Sequence, residues 1–180
     1  MGSGPSGGKP DLWAIILAPR PRDTPMTPEQ FTDLMQPIIA AAAGRPCDRS
    51  LTEQLEAAFP ASGDTVRAVE QACHQAIAAG WMCAQGGEGR RFGRVVQATP
   101  ASLDLSVDVV DLTEIVGPHH RHPNGEICLV LPVDEGARFD GHGRGWFVFK
   151  AGSAHRPTVK GGRALVLYML PGGAIEFTGQ

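Results

Sequence analysis

The sequence predicts a mainly β protein in which an antiparallel barrel or sandwich follows an α-helical segment. Three observations support this prediction. Apolar residues recur at helical spacing through residues 28–80. Residues 102–109 instead alternate strictly between polar and apolar side chains, which is typical of a half-buried strand. Short apolar runs separated by Gly- or Pro-containing turns then continue towards the C-terminus, as they do in all-β domains.

Length and composition fit one folded domain, or a core domain with a small appendage. The chain has 180 residues, of which 42% are hydrophobic and 19% are charged, so it can bury a sizeable core. Gly, Pro and Ser dominate the two ends of residues 1–26, which we expect to form a flexible tail. Met26 is a plausible alternative start of the chain. We expect the helical segment to span residues 27–85 and the β domain to span residues 86–180.

Three amphipathic helices are predicted within the helical segment. Thr27 suits the N-cap of the first helix, and Pro28 suits its first position. Ser50 and Glu53 have the spacing of a capping box at the start of the second helix. A glycine follows the first and the third helix, where it can end each of them. The expected helices cover about residues 28–43, 50–59 and 64–80.

Strands are predicted from residue 102 onward. Between Ser102 and Val109, leucines and valines occupy one face, and serines and aspartates occupy the other. The later strands should be short, because Gly- or Pro-containing turns separate them. They are expected at residues 127–131, 146–149, 163–170 and 174–177.

Charge and apolar runs argue against several classes of protein. The net charge of −3 gives no electrostatic reason to expect nucleic acid or an anionic membrane as a partner. The longest early apolar run, residues 12–18, is too short for a membrane span and lacks the flanks of a signal peptide. Four cysteines without a CxxC pair indicate buried thiols in a reducing compartment. We therefore expect a cytoplasmic protein with neither a nucleic-acid nor a membrane partner.

Three histidines and one glutamate form a candidate metal site. His120 and His122 are one residue apart, so a strand places both imidazoles on the same face. Glu126 follows a Pro-Asn-Gly turn at residues 123–125, which can return its carboxylate to them. His155 lies further along the chain, after a glycine turn. Three imidazole nitrogens and one carboxylate suit Fe(II), Mn(II), Ni(II), Co(II) or Zn(II), with coordination positions left for water or substrate.

This pattern resembles the cupin superfamily. The first cupin signature, HxH followed by three residues and Glu, is matched by His120, His122 and Glu126. The second signature, PxGxxH, is matched by Gly152 and His155. The resemblance implies a jelly-roll barrel at the C-terminal side that binds a divalent metal through the three histidines and the glutamate. It also implies a homo-oligomer, most simply a dimer.

The sequence departs from the cupin pattern at three positions. Lys150 replaces the proline of the second signature, and Val159 replaces the asparagine that usually follows the last histidine. The glycine expected well before HxH is represented only by the closer Gly117. The resemblance covers about residues 95–178.

A narrower resemblance links the chain to the 4-hydroxylaminobenzoate lyase family. It rests on HRHPNGEIC (120–128), RFDG (138–141), GW (145–146), AGSAHRPTV (151–159) and GGRALVLYMLPGGAIEF (161–177). Members are small cupin-type proteins of bacterial 4-nitrobenzoate degradation with a helical N-terminal segment. The resemblance implies conversion of 4-hydroxylaminobenzoate to 3,4-dihydroxybenzoate and ammonia.

That reaction is redox-neutral, so it requires no nicotinamide or flavin. A metal could bind the hydroxylamine oxygen as a Lewis acid, or it could lower the pKa of a bound water; both roles stay open. Glu126 can act as a metal ligand or as a proton shuttle, and the resemblance favours the ligand.

The substrate carboxylate favours an arginine, because a guanidinium can pair with it through two hydrogen bonds. Arg138 is our candidate, with Arg144, Arg156 and Arg163 as alternatives. Trp146 and Tyr168 could flank the aromatic ring, although core packing is an equally good interpretation of both residues.

Two other functions stay open. One is an iron-dependent cupin dioxygenase that acts on a small aromatic substrate. The other is a ligand-sensing transcriptional regulator, but residues 27–100 carry six arginines and no lysine against eight acidic residues, whereas a DNA-binding module would present a basic face. The basic cluster Arg90, Arg91 and Arg94 is interpreted as a polar turn.

Overall fold

In the part of the chain that the structure describes, three helices precede the β strands. The computed structural model describes residue 1 and residues 25–180. Residues 2–24, which make up most of the predicted flexible tail, lie outside the described part. The helices are α1 (Pro28–Ala42), α2 (Arg49–Ala58) and α3 (Asp64–Ala78). None of these three helices has the length and apolar character needed to cross a membrane.

Ten strands follow the helices in the described residues. They are β1 (Gln85–Gly87), β2 (Arg90–Val96), β3 (Leu105–Val116), β4 (His120–His122), β5 (Glu126–Pro132), β6 (Arg138–Phe139), β7 (Gly145–Phe149), β8 (Ser153–His155), β9 (Thr158–Pro171) and β10 (Glu176–Phe177).

The strands form two antiparallel sheets. The large sheet has the order β1-β2-β3-β9-β5-β7, with β6 also paired to β9, and the small sheet has the order β10-β4-β8. This is the mainly β, jelly-roll architecture with a helical N-terminal segment that the sequence predicts. Most strand neighbours are distant in the sequence, because β9 pairs with both β3 and β5 at the centre of the large sheet.

The helix caps agree only in part with the sequence predictions. Thr27 caps α1 in a capping box with Gln30, so the predicted N-cap is confirmed. The predicted capping box at Ser50 is wrong, because Asp48 caps α2 and accepts hydrogen bonds from the backbone N–H groups of Ser50 (2.9 Å) and Leu51 (3.4 Å). An aspartate caps a helix as well as a serine does, and here it lies two residues earlier.

The predicted strand at residues 102–109 begins later than expected. Pro100–Ser102 form a 3₁₀ turn, and Leu103 and Asp104 adopt left-handed backbone angles, with φ of +52° and +62°. The strand β3 therefore starts at Leu105. From there the predicted alternation holds, but the polar face is not solvated, because Ser106 on that face is completely buried.

The large sheet separates two hydrophobic cores. Its outer face packs against the helices, where Leu105, Val107 and Val109 of β3 meet Phe31 and Met35 of α1 in one core cluster. Fully burying one such side chain stabilises the fold by roughly 1.5–3 kcal/mol. The inner face carries a second core around Phe139 and Tyr168. Because the helices cover the outer face, the inner face is left to form the functional site.

Candidate metal centre

Strands β4, β5 and β8 position the predicted metal ligands. His120 on β4 lies directly opposite His155 on β8, and β5 begins at Glu126. His120 and His122 are buried, whereas Arg121 between them is exposed, as strand alternation predicts. The turn before Glu126 requires a glycine, because Gly125 has a φ of +92° and a Cβ there would lie 2.5 Å from the Cys47 Cβ.

The structure brings the four predicted ligands together. One donor atom from each of His120, His122, Glu126 and His155 lies within 4.8 Å of the others. The Nε2 atom of His155 lies 3.1 Å from Nε2 of His120 and 3.1 Å from Nε2 of His122. The Glu126 Oε2 atom is 3.6 Å from Nε2 of His155 and contacts Nε2 of His122. The four donor atoms thus converge on one point.

This arrangement fits a divalent metal ion. Two ligand atoms that each lie about 2.1 Å from a common ion, at right angles to one another, are about 3.0 Å apart. The Nε2 separations of 3.1 Å match that value. Glu126 is completely buried, and its Oε2 atom has no hydrogen bond of acceptable geometry despite its contact with His122. A buried charge needs a partner, and a cation at the point of convergence would supply one.

Electrostatics set the charge state of these side chains. Burial by itself raises the pKa of Glu126, but the interactions of its carboxylate with the adjacent His122 and His155 imidazoles outweigh burial and lower the pKa to about 2. Burial and repulsion from His122 and His155 lower the pKa of His120 to about 4. Burial opposes protonation of His155, but Asp140 and Glu126 raise its pKa to about 9. At neutral pH the site therefore holds the ionised Glu126 carboxylate and the neutral His120 imidazole, and His155 has to release its Nε2 proton when a metal binds.

Two further side chains orient the ligands. The Nδ1–H of His155 donates to Oδ2 of Asp140 at 2.6 Å, while Oδ1 of Asp140 accepts the Thr158 N–H at 2.8 Å. Such a carboxylate fixes the imidazole so that its Nε2 lone pair faces the metal. The Cys128 thiol donates to Oε1 of Glu126 at 2.9 Å. Nothing in the sequence pattern singled out Cys128, although strand alternation places it on the same face as Glu126.

The His120 tautomer is set by a backbone contact. Its Nδ1 atom is 3.1 Å from the Pro118 carbonyl oxygen. A carbonyl can only accept, so Nδ1 carries the proton and Nε2 keeps a free lone pair. The ring of Phe149 lies parallel to that of His122, with centroids 6.1 Å apart and an interplanar angle of 8°. These contacts hold the rings in the geometry that a metal needs.

A cavity of about 280 Å³ adjoins this centre. His120 is the metal-ligand candidate that borders it, and Phe92, Val110 and Phe177 contribute apolar walls. Tyr168 also borders the cavity, and burial, with a contribution from the negative charge of Glu126, raises the pKa of its hydroxyl well above its ordinary value. The hydroxyl is therefore neutral and can donate a hydrogen bond.

The structure separates Tyr168 from the other two predicted substrate-binding residues. Trp146 lies on the outer face of the large sheet, where its indole N–H donates to the Phe59 carbonyl at 2.8 Å. Arg138 is exposed and donates to the Ala137 carbonyl at 3.1 Å, at a separate surface depression. Neither Trp146 nor Arg138 borders the cavity beside His120.

The alternative arginines are also placed elsewhere. Arg144 pairs with Glu70 of α3, and Arg163 makes two hydrogen bonds to Asp111, at 2.7 and 3.0 Å. Arg156 is exposed beyond His155. The cavity is bordered instead by Arg90 and Arg94.

The interpretation of the basic cluster as a polar turn is wrong, because these residues lie on strand β2. Arg90, Phe92 and Arg94 occupy every second position. This spacing is typical of a strand that carries all three side chains on one face.

The family model and the two relatives that match this chain carry the same description. The family model described as 4-hydroxylaminobenzoate lyase matches residues 33–177. A 4-hydroxylaminobenzoate lyase from Nocardioides sp. (strain LMS-CY) is 28% identical over 160 residues, which cover 84% of this chain and 95% of the relative. A protein of the same name from Pseudomonas putida is 41% identical over 68 residues, which cover 36% of this chain and 39% of the relative.

Among solved structures, an RmlC-like cupin protein from Ralstonia eutropha JMP134 superposes with a TM-score of 0.38 and 14% identity, over 49% of this chain and 60% of that one. An oxalate oxidase in complex with glycolate superposes with a TM-score of 0.38 and 19% identity, over 52% of this chain and 57% of that one. The family match extends from α1 to β10 and includes all four converging side chains. The protein therefore belongs to the 4-hydroxylaminobenzoate lyase family.

Proposed function

We propose that this protein is a metal-dependent lyase that converts 4-hydroxylaminobenzoate and water to 3,4-dihydroxybenzoate and ammonia. The observation that carries the proposal is the convergence of three imidazoles and one buried carboxylate beside a small cavity, in a chain of this family. The names of the two curated relatives support the same reaction.

The reaction defines what the site has to do. The N–O bond of the substrate breaks, one oxygen is attached to the ring carbon beside the C–N carbon, and a second oxygen replaces the nitrogen, which leaves as ammonia. One water is consumed and no net oxidation occurs. The overall equation therefore needs no nicotinamide, flavin or dioxygen.

His120, His122, Glu126 and His155 would hold the metal, which we propose to be Fe, Mn, Ni, Co or Zn. When bound, such an ion supplies Lewis acidity, either to the hydroxylamine oxygen or to a water molecule. Glu126 contributes the negative charge that offsets the cation. Of the four, His120 borders the cavity, so the substrate would reach the centre along the side of this imidazole.

The other cavity residues bind and orient the substrate. The apolar walls around Val110 and Phe177 exclude water from the faces of an aromatic ring. We propose that Tyr168 holds a proton on its hydroxyl oxygen and donates a hydrogen bond to the substrate. Its raised pKa keeps that proton in place at neutral pH.

The decisive experiment is an anaerobic incubation of purified, metal-analysed protein with 4-hydroxylaminobenzoate. We expect ammonia and 3,4-dihydroxybenzoate to form in equal amounts without oxygen. His155→Ala should abolish turnover, because it removes a ligand, whereas His74→Ala, which changes an exposed histidine of α3, should not. If fully metallated wild-type protein gives no product, the lyase proposal fails. Product that requires oxygen would indicate a dioxygenase instead.

We also propose a cytoplasmic location and a homodimer. All four cysteines are free thiols, as is usual for proteins of a reducing compartment. The dimer rests on the family resemblance alone.

A further inference from the structure

We propose that Arg90 binds the carboxylate of the substrate, and that the cavity beside the metal centre is a binding site for a para-substituted benzoate. The identity of the substrate rests on the proposed function. The assignment of the carboxylate to Arg90 rests on the strand register, the charges and the residues that line the cavity, as described below.

Strand register places Arg90 on the inner face of the large sheet. Across the β2–β3 pair, Arg90 lies opposite Leu112, and Arg94 lies opposite Asp108. Leu112 belongs to the inner core, and Asp108 lies opposite Tyr168 on β9. Because alternate residues of a strand share a face, Arg90 and Arg94 point to the same side as the cavity.

Charge distinguishes the two arginines. Arg94 donates to both carboxylate oxygens of Asp108, at 2.6 and 2.9 Å, and to the Gly173 carbonyl at 3.2 Å. Its positive charge is therefore already compensated. Arg90 has no carboxylate partner among the residues that the structure describes. Of the two cations that border the cavity, Arg90 is the one available to an anion.

An aromatic contact orients the Arg90 side chain. Its guanidinium carbon lies 5.0 Å from the centroid of the Phe92 ring. A guanidinium on the face of an aromatic ring is held by a cation–π interaction while its N–H groups remain able to donate. Arg90 can therefore present two parallel donors to a carboxylate, which is the geometry that this pair prefers.

The cavity suits an aromatic acid between Arg90 and His120. Its volume of about 280 Å³ is small, and apolar side chains such as Val110, Ile175 and Phe177 form much of its wall. A para-substituted benzoate has a polar group at each end of a flat apolar ring. The carboxylate would pair with Arg90, and the opposite substituent would lie on the side of His120 and the metal centre.

Binding of benzoate tests this assignment without requiring turnover. Calorimetric titration of metal-loaded protein should show that Arg90→Gln weakens benzoate binding by about 10- to 100-fold, as expected for loss of a charge-assisted pair. Arg90→Lys should give an intermediate loss, because an ammonium keeps the charge but not the paired donors. Arg91→Gln is the control, since Arg91 lies on the opposite face and contacts Asp111. It should change binding by no more than about twofold, and melting curves should show that each variant is folded.

Kinetics separate this proposal from the proposed function. With 4-hydroxylaminobenzoate, Arg90→Gln should raise KM far more than it lowers kcat. With phenylhydroxylamine, which lacks the carboxylate, Arg90→Gln and wild type should behave alike. If benzoate does not bind to wild type, or binds to Arg90→Gln as tightly as to wild type, the Arg90 assignment is wrong even if the lyase reaction occurs. If benzoate binding depends on Arg90 but no lyase reaction occurs, the assignment of the carboxylate site is correct and the proposed reaction is wrong.

Discussion

Individual side chains around the histidines determine how well this centre holds its metal. Asp140 is not one of the predicted metal ligands, yet it accepts the Nδ1–H of His155 and is held in place by the backbone N–H of Thr158. The Cys128 thiol donates a hydrogen bond to Oε1 of Glu126 and so helps to hold that carboxylate in place. The centre is thus ordered before any ion binds, and less ordering free energy has to be supplied on binding.

Replacement of Asp140 tests this positioning role. Asp140→Asn keeps the size of the side chain but removes the charge that orients His155, so we expect metal affinity to fall by about 10- to 100-fold. Competition with a chelator measures the affinity directly. Asp33→Asn, on the exposed face of α1, is the matched control. Equal chelator resistance in wild type and Asp140→Asn would show that Asp140 does not support the metal.

At this scale the sequence predicted which side chains converge but not what surrounds them. The HxH spacing, with Glu126 and His155 beyond it, is a local pattern, and the structure brings these four side chains together. Their role as metal ligands stays a prediction. No local pattern indicates that Arg90 borders the cavity and Arg138 does not. The position of each arginine relative to the cavity is set by the pairing of strands that are distant in the sequence.

Three strands of the large sheet are connected by one buried ionic cluster. Asp111 on β3 is almost fully buried, and it accepts hydrogen bonds from Arg163 on β9 and from Arg91 on β2. Burial alone would raise the pKa of Asp111, but the hydrogen bonds from Arg163 and Arg91 outweigh burial and lower it. Burial, with a contribution from the negative charge of Asp111, raises the pKa of the nearby Cys83 thiol to about 12. Asp111 is therefore ionised in the folded protein at neutral pH.

Asp111→Asn should lower the free energy of unfolding by about 2 kcal/mol at pH 7, since two arginines lose a buried partner. The folded-state pKa lies below the unfolded value of about 3.9, so this stabilisation is present above that pH and is lost as the pH falls through the folded-state pKa. Urea unfolding from pH 7 to pH 3 should show the wild type approaching the variant. Glu53→Gln, in an exposed pair with Arg49, should cost less than about 0.5 kcal/mol. A constant difference across the pH range would contradict the role of Asp111.

Element boundaries show what local sequence could not predict. The third helix starts at Asp64 as the pattern indicated, whereas β3 starts three residues later than the alternation suggested. Leu103 continues the apolar pattern but is half exposed, because Leu103 and Asp104 turn the chain in the left-handed region. A local alternation therefore identified the strand and its core face but not its first residue.

In the whole molecule, the helices and the metal centre use opposite faces of one sheet. The helices cover the outer face, with α1 against β2 and α2 against β7, and the inner face meets the small sheet at the histidine cluster. The sequence predicted the mainly β class and the three helices from periodicity. The pairing of β9 with β3 and β5 was not predictable in the same way, because it depends on contacts between segments far apart in the chain.

The metal content of the purified protein shows whether the four converging side chains hold an ion. Elemental analysis of wild type should find one transition-metal ion bound per chain, with His74→Ala unchanged. His120→Ala should lose most of this metal while its circular dichroism remains that of the folded protein. A His120→Ala protein that retains the full metal content of wild type would contradict the assignment of His120, His122, Glu126 and His155 as one metal centre.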